Sequence, residues 1–530
     1  MTDTLAKLLD GYLELRWVMD PVEATDVGRH EYDHLFADYR SGPVREFAAA
    51  LRSYTASLEE AEAECLDDEI DRTAALHSAR HDLLVLEEER AFRRDPSLHL
   101  AHALNGLFLL AARNAQAPTA RAAALLARLR ALPDFLQRSA DVVVAPATMF
   151  VETAQSMIPG GLSLVRDALD DPELDLSSLD ATELEEARSG AAVALVEFND
   201  ALSVMGETAR PDFALGRTLF DRKLHTAHML RENADELYRY GERLRDSALA
   251  DLSRLAEVIS PGSDWRSVVE RLRADQPAAK SVLAEYRAAM ERATRLTSEH
   301  GLVPVPDAAP RVVPTPAFLR SLVPFAAYQS PGAFDDVQNG LFLVTMPENG
   351  EPWRTHCRSE LATTAVHEGI PGHHLQILTA NRLPRPVRRV LGTPAVREGW
   401  ALYCESLFAE LDLLSPQERF FQAHHLLWRA LRILLDVALH TRDLPVASAV
   451  RMLRDELGFD VTSAEAEVRR YCATPTYQLC YAVGRRDILA LREDAKVQRG
   501  KDFSLGAFHA DLLGYGALPA VLARWGMGLV

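Results

Sequence analysis

Residues 367–376 read HEGIPGHHLQ, with three histidines and one glutamate inside eight positions around a Pro-Gly pair. Two histidines four apart on a helix share a face and can grip one metal ion. Here the fourth residue after His367 is Pro371. On a regular helix His373 would point away from His367, and His374 would return to its face about 10.5 Å along the axis. Pro371 removes a helix hydrogen bond and Gly372 relaxes the backbone, so the ladder must be disturbed between the histidines. The sequence therefore predicts a bulge or widened turn that brings His373 beside His367, with His374 open as the alternative second ligand.

A catalytic zinc site uses three protein ligands and keeps one position open for water. REGWALYCE supplies the third candidate, Glu398, 31 residues after His367 and on a separate helical run. Glu368, next to the first ligand, is then free to take a proton from the attacking water and pass it to a leaving amine. Glu405 falls seven residues after Glu398 on the same helical face. There it can orient a ligating histidine or lie in solvent. The implied cofactor is one Zn²⁺ ion, with another divalent metal equally compatible with a His, His, Glu donor set.

Composition narrows the setting for this chemistry. At 530 residues, 48% apolar and 25% charged, the chain has enough apolar residues for a large core and is not a disordered protein. A formal charge of -19 repels phosphate backbones, so nucleic acid and anionic membrane are excluded as expected partners. The five cysteines are scattered without a C-x-x-C pair and read as free thiols. The N-terminus, MTDTLAKLLDGYLELRW, has no secretory pattern, and no run of about 18 apolar residues is present, so a cytoplasmic protein is expected.

The elements that must carry these residues are mostly helical. Apolar positions recur at three- and four-residue spacing from Pro43 to about Arg94, which predicts a helical hairpin. Similar runs follow at Arg121 to Leu136, from Gly190, and at Leu230 to Val258, with an acidic surface loop expected from Asp167 to Asp180. Seven prolines between Val303 and Pro331 mark an irregular connection. The expected division is a helical region 1–310 that covers a cleft and a metal-binding catalytic region 311–530. NGLFLVTM, Asn339 to Met346, is the best strand candidate. It is expected to form the cleft edge, with Gly340 and Phe342 against an extended substrate backbone.

HEGIPGHHLQ together with EGWALYCE resembles the DUF885 family of bacterial proteins, which stands beside gluzincin-type zinc metallopeptidases. DPVEATDVGRHEYDHLFADYR resembles the family's opening segment, so the likeness extends over nearly the whole chain. The resemblance implies a mainly α fold with a deep cleft and a short β-sheet at its wall. It also implies that Gly372-His373 ends the metal motif. In WRALRILLDVALH, which matches the family, Arg429, Arg432, Asp436 and His440 form one helical stripe. Asp436 can orient His440 toward an oxyanion, or the stripe can be a buried polar network. By the same resemblance Tyr481, ahead of Gly484, aims its hydroxyl at the reacting oxygen, and Arg470 and Tyr471 hold a substrate carboxylate or brace a helix. The chain departs from the family at Pro475-Thr476-Tyr477-Gln478, where the bulk of Tyr477 is expected to shape the substrate site.

These readings combine into a zinc-dependent hydrolase that cleaves an amide bond in a short peptide or peptide-like small molecule. His367, His373 and Glu398 hold the metal, Glu368 is base and then acid, and His440 and Tyr481 polarise the carbonyl. Two alternatives share the residues: a metal-dependent tailoring enzyme of specialised metabolism, and a binding protein that retains a metal without catalysis. An intact Glu368 argues against the second, because a structural metal needs no base beside its ligand. No motif speaks to oligomeric state.

Overall fold

Helices begin and end where local chemistry dictates. Asp20, Asp95, Asp180 and Asn233 accept backbone N–H groups at helix starts, and Asn233 and Ser415 form reciprocal capping boxes with Glu236 and Glu418. The computed structural model describes residues 3–168, 174–306, 308–315, 323, 326–346 and 356–529. Two compact units emerge: Met1–Phe213 with Thr315–Pro324 and Pro331–Gln338, and Ala214–Pro314 with Phe325–Ser330 and Asn339–Val530. The expected division at 310/311 is met by a different one at 213/214, with Pro331–Gln338 assigned to the first unit. Prolines 316 and 324 of the proline-rich stretch, and 169–173 of the expected acidic loop, lie outside the described residues.

The first unit is helical. The predicted hairpin is Ser41–Glu60 and Leu66–Leu84, and the following runs become Pro118–Val142 and Ala181–Thr208. His30 ties Pro331–Gln338 to this unit, with its ring nitrogens 2.9 Å from Asp33 and 2.9 Å from Asp335. Burial opposes protonation of that imidazole, but the two carboxylates outweigh it and lift its pKa to about 9.

The second unit is organised around the almost wholly buried helix Pro416–Thr441, which packs along Ala234–Ile259. Helix Pro394–Glu410 crosses Cys480–Arg499 at a pair of glycines, Gly399 and Gly484. A Cβ on Gly399 would lie 2.5 Å from the Gly484 Cα, and one on Gly484 would collide with the Ala395 carbonyl. Only glycine at both positions lets these backbones touch, and that contact fixes the helices carrying Glu398 and Tyr481.

Among the described residues the sheet has three strands, β1 (Arg311–Pro314), β2 (Ala326–Gln329) and β3 (Leu341–Val344), in the order β1-β3-β2. The predicted strand is therefore real but central, parallel to β1 and antiparallel to β2. Both of its hydrogen-bonding edges are taken, so it cannot receive a substrate strand. Phe342 is fully buried with its ring 5.2 Å from Tyr286, and Gly340 lies against the Tyr328 ring. The assignment of Gly340 and Phe342 to substrate binding is corrected to packing.

Gly484→Ala should destabilise the protein by about 1–3 kcal/mol in urea unfolding, because neither backbone at the crossing can yield cheaply. Gly190→Ala, where the missing Cβ faces open space, should be neutral or mildly stabilising.

Candidate metal centre

The HEGIPGHH motif is built from two helices, not one distorted helix. Arg358–Glu368 ends just after His367, and His373–Asn381 begins at the second histidine. Between them the chain reverses through Gly369 to Gly372, and the Ile370-Pro371 peptide is cis. A Cβ on Gly372 would collide with the carbonyl oxygens of Val366 and His367, so glycine is required for this approach. The Trp400 indole donates to the Pro371 carbonyl at 2.8 Å, fastening the turn to the helix that carries Glu398. The predicted bulge is thus a helix break, and it delivers the predicted result.

The His367 and His373 rings stand edge to face with centroids 4.8 Å apart. One carboxylate oxygen of Glu398 lies 3.6 Å from His367 Nε2 and 3.3 Å from His373 Nε2. One ligand atom from each of the three residues falls within 4.8 Å of the others. With bonds near 2.0–2.1 Å, a tetrahedral ion has ligand-to-ligand edges of about 3.3–3.4 Å, so the donor set fits a divalent cation. His374 takes no part: its nitrogens are 2.7 Å from the Tyr328 hydroxyl and 2.7 Å from the Ala308 carbonyl.

The surroundings hold these candidate donors in place. Glu405 sits 2.7 Å from His367 Nδ1, which turns Nε2 toward the cluster, as a carboxylate behind a metal-bound histidine does. Tyr477 donates to the other Glu398 oxygen at 2.6 Å, so its role is to orient the carboxylate. Behind Glu405, His425 lies 3.7 Å from its second oxygen and 3.6 Å from Glu360. His425 and Glu360 escaped the sequence reading, although Glu360 precedes His367 by seven residues on the same helix.

Charge is concentrated here. Burial opposes protonation of His367, but hydrogen bonds to Glu398 and Glu405 outweigh it and lift its pKa to about 10. Burial likewise opposes ionisation of Glu398 and Glu405, and the histidines overcome it, holding both carboxyls below their ordinary range. The pull that favours a proton on His367 is the same pull that would hold a divalent cation in its place.

Tyr481 lies beside the cluster, its ring stacked over His367 with centroids 6.4 Å apart. Its hydroxyl makes no hydrogen bond among the described residues. Burial and the Glu398 charge push its pKa up, so it stays a protonated donor. Glu368 closes its helix half-buried, with no hydrogen bond or ion pair among the described residues, and its charge reaches His367.

Three expected roles are corrected. His440 is buried between backbone groups, with Nε2 3.0 Å from the Tyr471 carbonyl and the Leu215 N–H donating to Nδ1 at 3.4 Å. Burial lowers its pKa to about 4, so it is a neutral structural tether and not an oxyanion donor. Asp436 does not orient it, because its carboxylate accepts the N–H groups of Thr476, Gln478 and Leu479. It thereby holds the turn that leads from Tyr477 into the Tyr481 helix. Tyr471 is fully buried, donating to Glu467 at 2.7 Å and accepting from Trp428 and Arg432. Arg470 pairs with the same Glu467 at 2.7 Å, so this pair braces a helix.

The model of the family described as "Bacterial protein of unknown function (DUF885)" matches residues 21–525. The chain belongs to this family. Two solved structures share its fold. One, "a putative lipoprotein of unknown function from Shewanella oneidensis", has a TM-score of 0.79 at 21% identity, over 99% of this chain and 100% of that one. The other, "the putative lipoprotein from Colwellia psychrerythraea", has a TM-score of 0.84 at 16% identity, over 99% of this chain and 98% of that one. No curated protein matches. The names of both structures overturn the expectation of a cytoplasmic protein, which is withdrawn. Among the described residues no helix is long and apolar enough to cross a membrane.

Glu405→Gln should weaken zinc binding about 10- to 100-fold in competition titrations, by loosening the His367 ring. Glu398→Ala should abolish stoichiometric binding altogether.

Proposed function

We propose that this protein is a metal-dependent hydrolase of the gluzincin type that cleaves an amide bond in a short peptide or peptide-like small molecule. The supporting observation is the convergence of His367, His373 and Glu398, with the Glu368 carboxylate unpaired beside the first ligand. A divalent cation bound there, zinc by donor type, supplies a Lewis acid that polarises the carbonyl and makes water a stronger nucleophile at neutral pH.

The chain's own residues divide the remaining work. Glu368 accepts the proton of the attacking water and returns it to the departing amine. Tyr481 donates its hydroxyl hydrogen bond to the oxygen on which negative charge grows, where a preformed donor contributes most. Tyr477 and Glu405 keep Glu398 and His367 from rotating, so the site is assembled before substrate arrives.

A site that only retained a metal would gain nothing from an unpaired carboxylate next to a ligand. Glu368→Gln should lower kcat by about 10²- to 10⁴-fold in an assay of short N-acyl peptides while the metal content of the purified protein stays at the wild-type level. Unchanged turnover with metal still bound would refute the role given to Glu368.

A further inference from the structure

Arg429 is an anomaly in the second unit. It is 8% exposed, yet among the described residues its guanidinium makes no ion pair, and its Nε and Nη1 have no hydrogen-bond partner. Burying an unpaired charge is costly, and native proteins ordinarily supply a carboxylate or several carbonyl groups to such a residue. Two more arginines flank it. Arg432 is 3.1 Å from Glu467, with its own Nη1 unpartnered, and Arg470 reaches the same carboxylate. Two guanidinium groups therefore share one carboxylate and the third, Arg429, has none among the described residues, leaving a surplus of positive charge.

That surplus faces the metal centre. The Arg429 guanidinium carbon lies 5.6 Å from the Tyr481 ring centre, and that of Arg432 lies 4.6 Å from it. The Tyr481 ring in turn stacks on the ligand His367. Arg429 also feels the charges of Glu405 and Glu398 without reaching an ion pair with either. The fork of N–H donors matches the two oxygens of a carboxylate, and a buried fork holds one far better than a surface lysine would.

We infer that Arg429 receives the free carboxylate of the substrate residue on the leaving side of the scissile amide, so that the substrate class is a dipeptide or the C-terminal residue of a short peptide. This rests on the hydrolase reading above and adds to it the direction of cleavage. Water adds across the C–N bond: its oxygen bonds to the carbonyl carbon, the C–N bond breaks, and the amine of the released amino acid takes the proton. The carboxylate that neutralises Arg429 leaves with that amino acid. Arg432 supplements the field and keeps its pairing with Glu467.

The test uses the metal-loaded full chain and a panel of N-acylated dipeptides, each offered as the free acid and as the C-terminal amide. Wild-type kcat/KM should favour the acids by at least ~30-fold, the scale set by a buried hydrogen-bonded charge pair. Arg429→Met should bring the ratio close to one, chiefly by raising KM for the acids, and Arg429→Lys should restore part of it. Metal stoichiometry of each variant reports whether its site has folded, and the wild-type ratio stands without any variant. Equal turnover of acids and amides by the wild type would overturn this inference and leave the hydrolase reading intact, as would Arg429 variants that keep the wild-type ratio. Metal-loaded protein that hydrolyses no member of either series would overturn both.

Discussion

Glu405 is buried and Glu398 nearly so, seven residues apart on one helical face, and their charge must be balanced inside the protein. Uncompensated, each would cost several kcal/mol. His367 lies between them, with one nitrogen toward each carboxylate. His373 completes the ring of donors around Glu398, and His425 stands behind Glu405. A divalent cation is the compact way to supply the positive charge this arrangement demands, because it satisfies both imidazoles and the carboxylate from one point.

Holding that point requires backbones to approach more closely than side chains permit. Gly372 lets the second histidine helix fold back on the first, and Gly399 and Gly484 let the Glu398 and Tyr481 helices touch. These contacts are rigid because every atom involved is main chain or fully packed. The hydrogen bond from Trp400 to the Pro371 carbonyl then joins the two arrangements. The placing of this cluster thus rests on glycine contacts and a buried indole.

The candidate donor cluster was legible in the sequence in outline, because residue type and spacing mark it even though packing sets its geometry. Helical periodicity and the break that Pro371-Gly372 imposes point to His367, to Glu398 on a second helix and to a second histidine nearby, but they leave the choice between His373 and His374, and the placing of Glu405, to the fold. The sequence predicts a bulge within one helix where the chain in fact breaks into two, since local sequence does not say how far a chain will turn. The stripe Arg429, Arg432, Asp436 and His440 lies on one helix as its spacing predicts, yet His440 and Asp436 serve the backbone of neighbouring segments. Partners of that kind, such as the Tyr471 carbonyl and the Thr476 N–H, are set by tertiary contacts that no side-chain pattern encodes. NGLFLVTM was legible as a strand for its β-branched and aromatic content, but its central position depends on β1 and β2, which are four residues each and interrupted by proline-rich sequence.

The same distinction explains the unit boundary. A run of prolines marks irregular chain and not where a compact unit ends, so composition alone does not locate the division, which falls at 213/214. The most direct test of the central claim is X-ray absorption spectroscopy combined with anomalous diffraction on protein purified without added metal. The account predicts one ion per chain with two imidazole nitrogens and one carboxylate oxygen at about 2.0–2.2 Å, located between His367, His373 and Glu398. A folded protein that carries no ion at this position even after incubation with zinc, or one whose ion is held by other residues, would contradict it.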